Sequence, residues 1–177
     1  MPHDRPRRRR RRLFVLLLAA IALLLWWCHR PPPLVIGTFN IREFPGETTD
    51  PEAVAAAIAE LDADAFSVQE IEDTRVFLEV LRFLRAPTGR HYKMALAPSC
   101  RGRKSRERLN LGVVYDAARI ELAAFRSLSG GEACPTGQPP AAIALLRPRG
   151  GPPLALASVH FTSGGDPKDL AAREAQW

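Results

Sequence analysis

Cysteine is scarce, with three in 177 residues, too few for a scaffold stapled by disulfides. No internal repeat runs through the chain, which excludes an array of copied units. Net positive charge is also missing from most of it. The formal charge is +6, but residues 1–30 hold eight arginines against Asp4, whereas residues 31–177 hold 17 basic and 18 acidic residues. The body therefore has no global field to draw in a polyanion, and only local patches could do so. Long apolar runs are absent except for one of sixteen residues, Leu13 to Cys28. What is present, 46% apolar and 25% charged residues, is globular composition, not that of a disordered tail. The length allows one domain or part of a larger one.

The apolar run comes after Arg5 and Arg7 to Arg12 and leads through His29-Arg30 into Pro31-Pro32-Pro33. A cationic flank stays on the cytoplasmic side, so this is a targeting segment that delivers the rest of the chain across a membrane. It divides into a basic cytoplasmic flank at 1–12, a signal anchor or signal peptide at 13–28 and a proline linker at 29–33. Sixteen residues at about 1.5 Å each reach about 24 Å, short of the roughly 30 Å hydrocarbon core, so anchor and cleaved signal both stay open. The one small-x-small triplet, Ala20-Ile21-Ala22, lies mid-run, and cutting there would strand Leu23-Leu24-Leu25-Trp26-Trp27 on the mature end. That favours one transmembrane helix with the domain held extracytoplasmically; cleavage would release it. In that compartment Cys100 and Cys134, both in loop-like stretches, would pair as a disulfide or stand as two separate thiols.

From Leu34 the body reads as alternating strands and helices. A strand covers Leu34 to Ile41. Asp50 caps a helix with Pro51 at its first position and Val54, Ile58 and Leu61 on one face. Phe66, Val68 and Ile71 mark a second strand, and Thr74 caps a second helix with Val76, Phe77, Val80, Leu81 and Leu84 inward. Further strands lie at Tyr92–Ala97, Leu109–Tyr115 and Ile120–Phe125. A hairpin joins Ala142–Leu146 to Leu154–Phe161, and a helix covers Asp169 to Trp177. This order predicts a layered α/β or α+β domain.

Polar residues where apolar strands end are site candidates, because a rigid sheet positions them while the loop side stays open. Asn40, Glu70 and His160 fit this description, and Glu107 lies in the polar run before Leu109. Each alone has a plain structural explanation: a turn Asn, a solvated Glu, a satisfied core His. Their order carries the case.

The segments Phe39-Asn40-Ile41-Arg42-x-Phe44-x-Gly46-Glu47-Thr48, Gln69-Glu70-Ile71-x-Asp73, Gly102-Arg103-Lys104-Ser105-Arg106-Glu107-Arg108 and Ser158-Val159-His160 together resemble the endonuclease/exonuclease/phosphatase superfamily, in particular its deoxyribonuclease I-like branch. The resemblance implies that residues 34–177 form the N-terminal half of a four-layer α/β sandwich with mostly antiparallel sheets. It implies Glu70 as ligand of a divalent metal, Mg²⁺ with Ca²⁺ or Mn²⁺ as alternatives, and Asn40 orienting the phosphate or a metal water. His160 becomes the acid/base on the scissile phosphodiester, Glu107 the carboxylate that hydrogen-bonds it, and Arg42 a contact to the substrate backbone.

Elementary chemistry asks for the same parts. A phosphodiester repels a nucleophile and leaves as an alkoxide, so hydrolysis needs positive charge on the phosphate and a proton for the leaving oxygen. Hard oxygen ligands such as Glu70 suit Mg²⁺, which keeps several waters. A carboxylate beside His160 would fix its tautomer and keep a proton on it. Arg103, Arg106 and Arg108, with Arg101 and Lys104, put five cations into eight residues, enough to hold a nucleic-acid backbone.

Other features depart from the resemblance. The superfamily's later Gly-Asp-x-Asn and Ser-Asp-His motifs are absent: Asp166 is followed by Pro167. The expectation is a metal-dependent phosphodiester hydrolase, a deoxyribonuclease-like endonuclease acting on DNA or another phosphodiester, inactive as this chain without its C-terminal half. Glu72 stands where the branch has an arginine that enters the minor groove, and Gln138 where a phosphate-binding arginine is expected, which keeps two rivals open. One is a phosphatase or sphingomyelinase-like phospholipase of the same superfamily; the other is a non-catalytic, membrane-tethered remnant. Everything rests on Glu70 and His160, ninety positions apart, meeting at one mouth.

Overall fold

A computed structural model of the chain describes residues 5–28, 33–46, 49–97, 110–128, 141–160 and 165–174, with backbone alone at 5–9, 28, 42, 43, 169, 172 and 173. The chain divides into two compact units, Met1–Pro33 and Leu34–Trp177.

In the first unit α1 (Arg5–Cys28) is one continuous helix that takes in the arginines as well as the apolar run. The expected transmembrane helix is corrected here: among the described residues no helix is long and apolar enough to cross a membrane. The apolar part is the sixteen-residue stretch from Leu13, about 24 Å long, and the remaining turns carry arginines that hydrocarbon does not accept.

The second unit contains β1 (Ile36–Phe44), α2 (Pro51–Ala59), β2 (Ala65–Ile71), α3 (Thr74–Thr88), β3 (Tyr92–Ala97), β4 (Asn110–Asp116), β5 (Ile120–Ser127), β6 (Ala141–Pro148), β7 (Leu154–Val159) and α4 (Pro167–Glu174). Strands β1, β2, β4 and β3 form one sheet in that order, and β5, β6 and β7 a second. Only the β1–β2 pair, linked through α2, is parallel; the other pairs are antiparallel. This matches the order of elements read from the sequence, with shifts at the ends. Asp73, not Thr74, caps α3, because its side chain accepts from the N–H groups of Arg75 (2.7 Å) and Val76 (3.3 Å). Helix α2 stops at Ala59, so Leu61 lies beyond it and is 36% exposed, and Ala55 joins Val54 and Ile58 on the buried face instead.

Two faces of the first sheet make two cores. Phe66 and Val68 of β2 and Val114 of β4 meet Val54 and Ile58 of α2 and Phe77, Val80, Leu81 and Leu84 of α3. The opposite residues, Ala65, Val113 and Tyr115, meet Ile120, Ala144 and Leu146 of the second sheet. The layers are therefore helices, sheet, sheet, and β2 lies inside the sheet with both faces covered, which is why its residues are buried almost continuously instead of alternately. Gly112 on β4 is fixed by close approach: a Cβ there would run into the Ala95 carbonyl oxygen of β3.

One end of the first sheet, where β1 and β2 begin, is closed by ions. Asp64 is fully buried, accepts from the Val35 N–H at 2.9 Å and pairs with both Arg90 and Arg119. Burial by itself raises its carboxyl, but the Val35 N–H and the two guanidiniums outweigh that and hold it below the usual range. Arg90 also donates to Asp62 at 2.6 Å. Tyr92 beside them donates to the Ala63 carbonyl at 2.7 Å, and burial pushes its phenol up to about 12.

Candidate functional site

The other end of the sheet is where the site candidates meet. Parallel pairing brings the ends of β1 and β2 to the same side, and the register sets Asn40 opposite Gln69. Strict alternation would then send Glu70 toward the helices with Phe66 and Val68. It does not go there. Glu70 takes a left-handed φ of 63°, the ladder slips between Val68 and Ile71, and Val68 and Ile71, three positions apart, both face the helical core. The bulge leaves Glu70 free to turn to the same side as Asn40. A non-glycine residue held left-handed is strained, and such strain clusters where a side chain must be aimed. Asn110, at the start of β4, steadies the bulge by donating to the Ile71 carbonyl at 2.8 Å.

The second sheet supplies the third residue. His160 comes directly after the last residue of β7, and its Nε2 lies 3.1 Å from Oε1 of Glu70. The Asn40 amide donates to the same Oε1 at 3.0 Å. The His160 and Glu70 side chains keep 27% and 14% of their exposure, so the cluster is accessible but not freely solvated. A carboxylate oxygen only accepts, so this approach places a proton on Nε2 of His160.

Asn40, Glu70 and His160 are thus brought together. Arg42 lies in β1, two residues beyond Asn40, but its side chain is outside the described residues. Glu107, Arg103, Arg106 and Arg108 also lie outside them, as do Cys100 and Cys134. Among the described residues the carboxylate at His160 is Glu70. The segment holding Glu107 joins Ala97 to Asn110, and the pairings of β4 put both of those at the Glu70 end of the sheet.

Behind the site lies a polar network that sequence reasoning did not single out. Gln69 Nε2 donates to Ser158 Oγ and to Ser67 Oγ, each at 3.1 Å, and Ser158 Oγ donates to the Val68 carbonyl at 2.9 Å. Ser67 donates to Thr38 Oγ1 at 2.8 Å. Ser67 and Gln69, alternating with Phe66 and Val68 inside one strand, were the available signal, since such groups are buried only with partners. A cavity of about 620 Å³, lined by Lys93, Tyr115, Ile120, Leu122 and Arg149 among others, sits toward the ion-closed end, and none of the three site residues lines it.

Several solved structures share this fold. The human Nocturnin catalytic domain with bound sulfate matches with a TM-score of 0.57 at 14% identity, over 82% of this chain and 57% of its own. A mannosyl-6-phosphatase from Bacteroides thetaiotaomicron matches at 0.52 and 15%, over 77% and 54%. An endonuclease/exonuclease/phosphatase family protein from Leptotrichia buccalis matches at 0.52 and 15%, over 72% and 53%. The chain shares its fold with these proteins, one of them titled an endonuclease/exonuclease/phosphatase family protein, over part of their length, and it spans about half the length of the structures it matches. No protein-family profile and no curated protein matches the chain.

Proposed function

We propose that the domain is the N-terminal part of a metal-dependent phosphodiester hydrolase, with a deoxyribonuclease-like endonuclease as the first reading. The observation that supports it is the convergence of an amide and an imidazole, from the ends of two different sheets, on one oxygen of Glu70. In this reading His160 is the acid that delivers a proton from Nε2 to the leaving oxygen, and Asn40 orients the phosphate. Glu107 supports His160, and Arg42, Arg103, Arg106 and Arg108 hold the substrate backbone.

The donor set favours a hard, water-rich cation. Among the described residues no three His, Cys, Asp or Glu side chains are grouped to hold a metal. Glu70 with the Asn40 amide offers hard oxygens in small number. That suits Mg²⁺, which keeps most of its waters, and Mn²⁺ or Ca²⁺ accept the same donors. When bound, the cation would neutralise charge on the phosphate. Residues that would activate the attacking water belong to motifs this chain does not contain, so the chain alone is expected to bind phosphate without turnover.

A phosphatase is the second reading. It is favoured by the acidic Glu72, two positions after Glu70 in the chain, which would repel a groove-bound duplex, and by the fold shared with the mannosyl-6-phosphatase. Assays of plasmid nicking and of sugar-phosphate hydrolysis with Mg²⁺, on a chain extended through the Gly-Asp-x-Asn and Ser-Asp-His motifs, separate the two. Full activity in the Glu70→Gln and His160→Ala variants would remove the site assignment. The arginine-flanked apolar helix supports export of the domain to the extracytoplasmic side. A reporter fused after Trp177 that is active only in the cytoplasm would exclude it.

A further inference from the structure

We propose that Ser158 and Gln69 form an inter-sheet clamp that sets the distance and orientation between His160 and Glu70, so that both are positioning residues for the site. The clamp rests on the reading of Glu70 and His160 as the working pair. That pair straddles two sheets, and the contacts between the sheets are small and apolar where they approach the site: Ala97 and Leu111 against Ala142, with Phe125. Packing of this kind is non-directional and tolerates small slides of one sheet over the other. A 3.1 Å approach of imidazole to carboxylate does not tolerate them, because a hydrogen bond weakens steeply with distance and angle.

Ser158 removes that freedom. It is fully buried, faces inward from β7 and sits two residues before His160. Its hydroxyl makes two directed bonds to consecutive residues of β2, donating to the Val68 carbonyl at 2.9 Å and accepting from Gln69 Nε2 at 3.1 Å. Those are the two residues that precede Glu70. Gln69 is itself 7% exposed and anchored within the first sheet through Ser67 Oγ at 3.1 Å. The Val68 carbonyl lies at the start of the bulge that aims Glu70. One serine thus ties the strand carrying the imidazole to the strand carrying the carboxylate, at the last regular positions of both. Burial makes the tie stiff, because water cannot substitute for a partner that moves away.

The test is NMR on the full ¹⁵N-labelled chain at one fixed pH, reading the two imidazole nitrogens of His160, with a thermal melt of each variant. The wild type should give a single tautomer protonated at Nε2. Ser158→Ala should move both nitrogens toward the averaged values of a mobile ring, and Ser158→Thr, which keeps the hydroxyl, should restore the wild-type pattern. Tyr92→Phe removes the bond to the Ala63 carbonyl at the far end of the first sheet, so it should lower the melting temperature and leave His160 unmoved. A folded Ser158→Ala protein with the wild-type tautomer overturns the clamp. So does the same averaging in Tyr92→Phe, which would mark general loosening. If Ser158→Ala does not fold, Gln69→Met carries the same expectation, and loss of the fold in both marks a purely structural pair and also overturns it. Titration of the wild type with inorganic phosphate and Mg²⁺ keeps the two ideas separate. No phosphate-dependent shift at His160 counts against the hydrolase reading, whereas the tautomer comparison judges the clamp.

Discussion

The two ends of the first sheet treat a carboxylate in opposite ways. At the end where β1 and β2 begin, Asp64 is fully buried, in ordinary backbone, and held by one N–H and two guanidiniums. At the end where they finish, Glu70 is partly open, in left-handed backbone, and held by an amide and an imidazole. The first arrangement closes the domain; the second keeps a carboxylate aimed and reachable at the cost of strain. The contrast teaches that pairing alone does not mark a site: exposure and backbone strain separate the candidate site carboxylate from the structural one.

The strongest way to break the contrast is Asp64→Asn. It takes the shared anion from Arg90 and Arg119, Arg90 keeping Asp62, and should cost about 1.5–3 kcal/mol in urea unfolding. The candidate site should answer differently to the matching change. Glu70→Gln should leave stability near wild type and weaken Mg²⁺-dependent phosphate binding by at least the ten- to hundredfold that a lost supporting partner costs, about 1.4–2.7 kcal/mol, measured by calorimetry. Acid sharpens the difference further. The Asp64 carboxyl is lowered in the folded state, so its contribution is complete above the unfolded aspartate value, about 3.9, and is lost as pH falls through the lower folded value. Urea midpoints taken against pH should fall steeply there in the wild type and more gently in Asp64→Asn. The smallest effect is a gain: Glu70→Gly relieves the left-handed strain and should raise stability by about 1 kcal/mol while abolishing phosphate binding. A loss of stability in that variant would mean that Glu70 is structural like Asp64.

Much of the fold was legible because its elements are locally encoded. Asp50-Pro51 starts a helix by capping chemistry, and Phe77, Val80, Leu81 and Leu84 announce a buried helix face by spacing alone. The errors came where tertiary context competes with local pattern. Asp73 displaced Thr74 as a cap because its carboxylate reaches two N–H groups. Leu61 fell off α2 because the chain must turn at Asp62, with φ 41°, to enter β2. The arginine-flanked apolar run is helical as its composition requires, yet too short in its apolar part for the transmembrane helix expected of it. For the site, residue types at strand ends named Asn40, Glu70 and His160, but alternation would have turned Glu70 to the wrong face. No local signal reveals a bulge between Val68 and Ile71.

Local chemistry set the order of strands and helices, the unequal division of charge between residues 1–30 and the rest, and which side chains were chemically able to act. Only the tertiary structure decided that a residue on β7 would meet one on β2, that Glu70 would leave its strand's alternation, and that Gln69 and Ser158 would join the sheets beneath them. The reason is physical. Propensity, capping and periodicity act over a few residues, whereas the meeting of Glu70 with His160 depends on how two sheets seat on a shared core, a property of contacts far apart in the chain.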